Sequence, residues 1–281
     1  MSSGVLRWVE VSDGPRLATW TWQAGQPTWL LVHGLASNAR LWDGMANILN
    51  SLGQTVISVD QRGHGLSDRP EGGYDFATIS SDLAAVIDNV VDSPVIAVGQ
   101  SWGANVVLDL AARRPDLVSS VVGIDGGFIE LSASFEDWES AAATLRPPDL
   151  PPITWAAATE QAASFYTGFP SDGVLAQLAN LEEGVDGRVR RRLPLEAHMT
   201  ILRHLFEQRP LDTAAKLAQP TLIVAARNND TGDKAQRAQA LEAALAQGRL
   251  VWLEGHHDLH AQRPQEVVDV VVGALSEGFL K

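Results

Sequence analysis

Short runs of consecutive apolar residues alternate with helical patterns along most of the chain. A run that is apolar at every position suits a strand covered on both faces, as in a parallel sheet between two layers of helices. The pattern therefore predicts an α/β fold with right-handed crossovers. The predicted core strands are 29–32, 56–59, 95–98, 121–124, 222–225 and 250–253, and the predicted helices are 79–91, 103–113, 234–246 and 265–280.

Two parts of the chain depart from this alternation. Residues 6–11 and 17–23 are separated by a turn sequence, which predicts an antiparallel pair at the edge of the sheet. Between 128 and 210 the strand signal vanishes, and helical segments broken by prolines dominate. We therefore expect an α/β core made of residues 1–127 and 211–281, with a helical cap inserted at 128–210.

Charge and composition limit the partners and the chemistry. Asp and Glu number 34 against 21 Lys and Arg, and this acidic surplus argues against nucleic acid as a partner. The absence of cysteine excludes a disulfide framework, a thiolate zinc site and a cysteine nucleophile. The first residues of the sequence show no basic region followed by an apolar region, the pattern expected of a signal peptide, and no apolar run reaches ~18 residues. We expect a cytoplasmic monomer or homodimer that binds no membrane.

The candidate nucleophile is Ser101, in the sequence Gly-Gln-Ser-Trp-Gly at 99–103. It follows a buried strand and precedes a helical run, where a serine between small residues can sit on a strained turn with its hydroxyl exposed. The amides at the start of the helix can then stabilise a developing oxyanion. A helix-capping serine in a tight turn is the structural alternative.

Two further loops follow predicted strands. His33-Gly34-Leu35 follows strand 29–32, so the Leu35 amide can donate together with the Trp102 amide to a tetrahedral oxygen. We interpret His33 as a structural residue that fixes this loop. The segment 60–67 follows strand 56–59 and contains glycines suited to a compact turn with an internal Arg and Asp network, so we interpret it as scaffold.

These motifs occur in the order and spacing of the α/β-hydrolase superfamily, which the sequence resembles over nearly its whole length. The resemblance includes a late Gly255-His256-His257. It implies an α/β fold with a mostly parallel central sheet of about eight strands, flanked by helices and carrying a helical cap. It also implies a hydrolase with a serine, a histidine and an acid that uses no cofactor.

The general base is expected late in the chain, because a serine hydroxyl needs a base to remove its proton during attack. Members of the family usually have a proline seven residues after the catalytic histidine, and Pro264 selects His257, with His256 as the fallback. Closely spaced His256, His257, Asp258 and His260 could instead ligate a metal. We expect no metal, because no further ligand cluster exists.

Two aspartates compete for the acid that orients the imidazole. Asp230 stands in the loop after strand 222–225, the commoner position in the superfamily, although that loop carries an insertion. Asp125 stands at the end of strand 121–124, and its spacing from Ser101 is similar to that of haloalkane dehalogenases. We prefer Asp125 and keep Asp230 as the alternative. Each aspartate could also be a turn residue that accepts backbone amides.

A serine nucleophile excludes relatives that attack with a carboxylate, such as haloalkane dehalogenases and epoxide hydrolases. Acyl transfer to water remains, which predicts a small, largely apolar carboxylic ester or lactone as the substrate. Two alternative functions remain: a hydrolase of carbon–carbon bonds in ring-cleavage products, and a non-hydrolytic relative such as a lyase or a ligand receptor. Trp102, Trp138 and Trp155 are predicted to line the apolar substrate pocket.

Overall fold

The computed structural model describes residues 4–12, 14–227 and 233–281. Ten strands are assigned in these ranges, and eight of them form one sheet in the order β1-β2-β4-β3-β5-β6-β9-β10, while β7 and β8 form a separate hairpin. The strands are β1 (Val5–Glu10), β2 (Arg16–Trp22), β3 (Gly25–Val32), β4 (Gln54–Val59), β5 (Val95–Gln100), β6 (Val118–Ile124), β7 (Leu181–Glu183), β8 (Val189–Arg191), β9 (Thr221–Arg227) and β10 (Gly248–Glu254).

Helices cover both faces of this sheet. Two short 3₁₀ turns lie at Ala39–Trp42 and Leu131–Ala133. The α-helices are α1 (Asp43–Ser51), α2 (Phe76–Val90), α3 (Trp102–Arg113), α4 (Trp138–Leu145), α5 (Trp155–Phe165), α6 (Ser171–Leu178), α7 (Leu195–Glu207), α8 (Pro210–Ala214), α9 (Asp233–Ala244), α10 (Leu259–Gln262) and α11 (Pro264–Ser276).

The central strands are buried on both faces, as their continuous apolar character predicts. Every residue of β4 and β5 is buried. Alternate residues of β3 enter two different cores: Leu30 and Val32 pack on the side of α2 and α3, whereas Trp29 and Leu31 pack on the side of α1 and α11. This confirms the α/β class, because strands with two apolar faces need a helical layer on each.

Strand directions also follow the expectation. β1 pairs with β2 and β2 with β4 in antiparallel fashion, and β1 is the edge strand. In the rest of the eight-stranded sheet, β4, β3, β5, β6, β9 and β10 each run parallel to their neighbours in that order. The carboxyl ends of β3, β5, β6 and β10 therefore meet at one edge of the sheet, where open α/β sheets place their ligands.

The chain between β6 and β9 departs from the expectation of purely helical structure. It contributes α4 to α8, but also the antiparallel hairpin of β7 and β8. These strands have only three residues each, Leu-Glu-Glu and Val-Arg-Arg, so they carry no apolar run for sequence analysis to detect. Elsewhere α1 was not predicted, since its sequence contains Gly44, Asn47 and Asn50, all weak helix formers. Among the described helices, none is long and apolar enough to cross a bilayer.

Candidate active site

Ser101 occupies a strained turn between β5 and α3. Its φ of 53° and ψ of −125° lie in a region that side chains rarely adopt. The turn is fixed from both sides, because the Ser101 amide donates to the Ile124 carbonyl at 2.9 Å and the Ala104 amide donates to the Ser101 carbonyl at 3.0 Å. The side chain makes no helix-capping bond, so the capping alternative does not describe it. The half-buried hydroxyl remains available for chemistry.

Close backbone contacts explain the glycines on either side of Ser101. A Cβ atom on Gly99 would collide with the backbone of Gly103, and a Cβ on Gly103 would collide with the carbonyl of His33. The first turn of α3 therefore packs directly against the loop that follows β3. This contact brings the amides at the start of α3 and in the β3 loop to the same edge of the sheet.

His257 and Asp125 form a short contact near this turn. Gly126, the residue after Asp125, packs against the backbone of Ser101, and the side-chain amide of Gln100 donates to the His257 carbonyl at 3.2 Å. The Nδ1–H of His257 donates to Oδ2 of Asp125 at 2.6 Å. Asp125 is buried, and its other oxygen, Oδ1, accepts from the Ala226 amide at 2.9 Å and pairs with Nζ of Lys234 at 2.6 Å. The arrangement can hold an imidazole in one tautomer and stabilise its protonated form.

This contact shifts the pKa values of both Asp125 and His257. Burial by itself would raise the pKa of Asp125, but the hydrogen bonds from His257 and Lys234 outweigh it, and the pKa lies below its ordinary value. For His257, burial opposes protonation, yet the hydrogen bond and negative charge of Asp125 outweigh that effect and raise the pKa. No described residue bonds to Nε2 of His257, which is therefore available to a substrate or a hydroxyl. The alternative acid, Asp230, lies outside the described residues.

Two backbone amides near Ser101 are placed to donate hydrogen bonds to an oxyanion. Among the described residues, neither the Leu35 nor the Trp102 amide donates to a protein acceptor. The Trp102 amide directly follows Ser101, and Gly34, the residue before Leu35, lies close to it, because a Cβ on Gly34 would approach the Cβ of Ser101 to 3.1 Å. The next amide, that of Ala36, is used by Nε2 of His64 at 3.2 Å. Paired free donors beside a serine are what an acyl-transfer site requires.

The other two histidines of the early loops hold the scaffold together. His33 is fully buried, donates from Nδ1 to the Gly34 carbonyl at 2.7 Å and accepts at Nε2 from the Gln61 amide at 3.0 Å. His64 donates from Nδ1 to the Arg62 carbonyl at 3.0 Å. Burial lowers the pKa of both rings, that of His64 to about 4, so both stay neutral and join the β3 and β4 loops.

The Asp60 to Ser67 segment is compact, but its expected internal Arg and Asp network is wrong. Asp60 accepts from the backbone amides of Ala39 and Leu66, each at 2.7 Å. Arg62 pairs instead with Asp82 on α2, through Nε at 2.5 Å and Nη2 at 2.7 Å. The arginine therefore ties the loop to a neighbouring helix.

The histidines around His257 have different surroundings. His256 packs edge-on against the ring of Phe169, 5.3 Å between centroids, and its Nδ1 accepts from the Asp258 amide. His260 is fully buried, and its ring packs against Trp42 at 4.1 Å. Within the described ranges no three His, Asp or Glu side chains are placed to hold a metal ion.

The three tryptophans predicted to line a pocket each begin a different helix, α3, α4 and α5. Trp102 is buried in the core and stacks on His64, 5.8 Å between ring centroids. Trp138 packs against Phe206 on α7, and Trp155 is exposed at the start of α5. A cleft of about 630 Å³ lies between α5, α6 and β7, and none of these tryptophans lines it.

Several residues at the site were not predicted. Lys234 was predicted only as a helix residue, yet it reaches the carboxylate of Asp125. Gln177 and Asn180, at the end of α6, donate to Asp258 at 2.9 Å and accept from Asn38 at 2.6 Å, respectively. The only signal in the sequence was the presence of a lysine and amides, because contacts between distant segments leave no local pattern.

Known proteins resemble this chain over most of its length. The alpha/beta hydrolase fold family model matches residues 27–264. The chain is 38% identical over 178 residues to 2-(acetamidomethylene)succinate hydrolase of Mesorhizobium japonicum, an alignment that covers 58% of each protein and thus less than two thirds of that relative. Lipase LipV of Mycobacterium tuberculosis is 30% identical over 248 residues, which cover 86% of this chain and 90% of the lipase.

A solved structure agrees with these sequence matches. The crystal structure of E-2-(acetamidomethylene)succinate hydrolase superposes with a TM-score of 0.79 and 26% identity, covering 97% of this chain and 99% of that one. The relatives are named as hydrolases and lipases, which supports a hydrolase. The chain belongs to the α/β-hydrolase fold family.

Proposed function

We propose that the chain is a serine hydrolase that cleaves a carboxylic ester or lactone of a small, largely apolar substrate. Ser101 is the nucleophile, His257 the general base and Asp125 the acid that orients it. The observation that carries the proposal is the 2.6 Å contact between Nδ1 of His257 and Oδ2 of Asp125, beside a serine held at a φ of 53°. Lipase LipV, 30% identical over most of the chain, supports the same class of reaction.

The reaction has two halves. Nε2 of His257 takes the proton from the Ser101 hydroxyl as its oxygen attacks the carbonyl carbon, and the imidazolium then protonates the leaving alkoxide. The ester bond breaks and the acyl group remains on Ser101. A water molecule, deprotonated by His257, attacks this acyl-enzyme, and the released Ser101 oxygen recovers its proton from the imidazolium.

Two features of the chain lower the barrier to these steps. The amides of Leu35 and Trp102 donate to the oxygen that becomes negative in each tetrahedral intermediate, and removal of one such donor typically costs ~10²–10³ in kcat. Asp125 stabilises the imidazolium that forms at the same moment. Its other oxygen is already bonded to Ala226 and Lys234, so the carboxylate has one orientation.

A second candidate is hydrolysis of 2-(acetamidomethylene)succinate or a similar acylated enamine. The observation that favours it is the 38% identity to the Mesorhizobium japonicum enzyme, together with the TM-score of 0.79 to a structure of that activity. The same serine machinery would attack the acetamide carbonyl. Release of acetate from that compound measures this activity directly.

The test uses p-nitrophenyl esters of short neutral acids and a covalent serine inhibitor. We expect turnover by the wild type, its loss by a factor of ~10⁶ in Ser101→Ala, and no change in Ser276→Ala, whose hydroxyl bonds only within α11. A fluorophosphonate adduct located on Ser101 by peptide mass spectrometry would support the nucleophile. Undiminished turnover in Ser101→Ala would overturn the proposal.

A further inference from the structure

The cleft between α5, α6 and β7 has an uncharged lining. Of its twelve lining residues, which lie between Leu150 and Leu181, eight are aliphatic or aromatic. The other four are Gln161, Ser164, Gln177 and Asn180, which are polar but neutral. Its volume of about 630 Å³ is in the range of small-molecule sites.

Hydrogen bonds connect this cleft to both loops of the candidate active site. Gln177 donates to Oδ2 of Asp258, the residue after His257, at 2.9 Å. Asn180 accepts at 2.6 Å from Asn38, three residues beyond Leu35. Both amides also line the cleft, so one of its walls is bonded to the loop of the proposed base and to the loop of the proposed oxyanion donor.

Two arginines adjoin the cleft, Arg191, which pairs with the lining residue Leu181 in the hairpin, and the next residue, Arg192, and both have partners of their own. Arg191 donates to the Pro148 carbonyl at 2.7 Å. Arg192 donates to the Leu181 carbonyl at 3.1 Å and pairs with Glu182 at 3.4 Å. A carboxylate in the cleft would therefore meet no cation among the lining residues, and the mostly apolar lining favours uncharged groups over a carboxylate.

We propose that this cleft binds the uncharged, apolar portion of the substrate and excludes a dicarboxylate. The assignment rests on the proposed function for the chemistry that follows binding, although binding itself can be measured without turnover. It distinguishes this chain from a relative named for a succinate derivative, and it counts against the second candidate function.

Binding of an uncharged dye to the Ser101→Ala protein tests the cleft without catalysis. Phenylnaphthylamine is neutral and becomes fluorescent in apolar surroundings, whereas anilinonaphthalene sulfonate adds a negative charge to similar rings. We expect the neutral dye to bind at least tenfold more tightly. Ala162→Leu, which fills the cleft, should weaken its binding about tenfold, and Ala163→Leu, at an exposed position of the same helix, should leave it unchanged.

A second variant guards against misfolding. Ala162 is buried in the small core between α5 and α6, so Ala162→Leu could perturb folding. Ser164→Trp fills the same cleft from an exposed lining position and should weaken the dye equally. Equal binding of both dyes, or neutral-dye binding that neither variant weakens, would overturn the proposal.

Ester turnover provides a second test of the cleft. In the wild type, kcat/KM should rise by up to about fourfold per added methylene of a neutral acyl chain, and a hemisuccinate ester should be a poor substrate. Ala162→Leu should remove the preference for long chains, whereas Ala163→Leu, outside the cleft, should keep it. If the neutral dye binds preferentially and the cleft-filling variants weaken it, while no ester is hydrolysed, the cleft proposal is supported and the proposed function fails. If esters are hydrolysed but chain-length preference survives Ala162→Leu, the cleft proposal fails.

An independent observation concerns Lys234. Its side chain is buried at the start of α9, with Nζ 2.6 Å from Oδ1 of Asp125 and 2.8 Å from the Ala226 carbonyl. Oδ2 of the same carboxylate accepts from His257. The acid of the candidate triad is thus shared between an imidazole and a lysine.

We propose that Lys234 is a positioning residue that fixes the Asp125 carboxylate and moderates its stabilisation of charged His257. The groups facing His257 are Asp125 from β6, Lys234 from α9, and Asp258 and His260 from its own loop and the following helix. Asp230 lies outside the described residues. A positive charge on the far side of the carboxylate opposes a second positive charge on the imidazole.

The pH dependence of Lys234→Met, compared with Lys234→Arg, tests this role. Loss of the charge should move the acidic limb of kcat/KM to higher pH, whereas arginine should keep it near the wild-type position. NMR titration of the His257 ring in the Ser101→Ala background gives the same comparison without turnover, so it remains decisive if the proposed function fails. A limb and a ring titration that stay in place in Lys234→Met, or move to lower pH, would overturn the proposal.

Discussion

At the scale of single residues, Asp125 is positioned to orient the ring of His257. Asp125 holds the imidazole of His257 through a buried carboxylate with three donors around it. In Asp125→Asn the amide cannot stabilise the imidazolium and can present its N–H₂ to the ring, which favours the wrong tautomer. We expect kcat for a p-nitrophenyl ester to fall by ~10⁴.

The matched control is Asp230→Asn, the alternative acid. Steady-state kinetics of both variants, with circular dichroism to confirm folding, assign the acid. Activity that survives Asp125→Asn and disappears in Asp230→Asn would place the acid in the loop after β9.

The pH profile follows from the charge on His257. The proposed general base must be neutral to act, so kcat/KM should rise as pH increases through the pKa of His257. Asp125 raises that pKa above the ordinary 6.5, and the rising limb should therefore be centred above this value. Because Asp125→Asn removes the negative charge while burial remains, the residual activity should titrate at lower pH. Initial rates between about pH 5 and pH 9 check the sign, and a limb that moves upward in Asp125→Asn would contradict it.

Gly103 shows that the turn around Ser101 depends on the absence of a side chain. A Cβ there would collide with the backbone of the β3 loop, which cannot move without displacing the Leu35 amide. We expect Gly103→Ala to destabilise the protein by about 1–3 kcal/mol and to lower kcat in the folded fraction. Gly72, with nothing within 4 Å of its would-be Cβ, provides the control. Urea unfolding of Gly103→Ala and Gly72→Ala should therefore differ, and equal midpoints would show that the loop yields.

At the scale of elements, one buried ion pair joins the β4 loop to α2. Arg62 and Asp82 expose only 7% and 4% of their side chains, and two hydrogen bonds connect them. Asp82→Asn leaves a buried guanidinium without its counter-charge, which should cost about 3–5 kcal/mol of unfolding free energy. Glu207→Gln breaks an exposed pair with Arg203 and should change it by less than about 1 kcal/mol. Denaturant unfolding measures both, and similar losses would mean that burial does not set the strength of these pairs.

The elements show what a sequence can and cannot reveal. The central strands were predictable, because burial on both faces leaves continuous apolar runs such as that of β5. The turn around Ser101 was predictable as well, since close packing there demands glycines at 99 and 103. The hairpin of β7 and β8 was not, because its pairing depends on three-residue strands rich in charge. Lys234 was missed for a related reason: its contact with Asp125 spans 109 positions of the chain and leaves no periodic signal.

At the scale of the whole molecule, stability should depend on buried neutral histidines. Burial lowers the pKa of His33, and it lowers those of His64 and His260 to about 4. In the unfolded chain these rings bind protons as pH falls through about 6.5, whereas in the folded protein they bind them only at lower pH, at about 4 for His64 and His260. The unfolded state then holds more protons, so the free energy of unfolding decreases as pH decreases across this window. The raised pKa values of Asp60, about 6, and of His257 act in the opposite direction and reduce the slope.

His260 allows the contribution of a single buried histidine to this pH dependence of stability to be measured. Its two ring nitrogens are buried without a hydrogen-bond partner in the described part of the chain, and its ring lies against Trp42. His260→Phe removes one titrating group and keeps an aromatic ring, so the fall in unfolding free energy between about pH 6 and pH 5 should be smaller by up to about 1.4 kcal/mol per pH unit. At about pH 8 the histidine is neutral in both states, and the two proteins differ there by packing and polar burial alone. Urea unfolding at each pH gives the slopes, and parallel slopes for His260→Phe and the wild type would show that His260 is protonated equally in the folded and unfolded states.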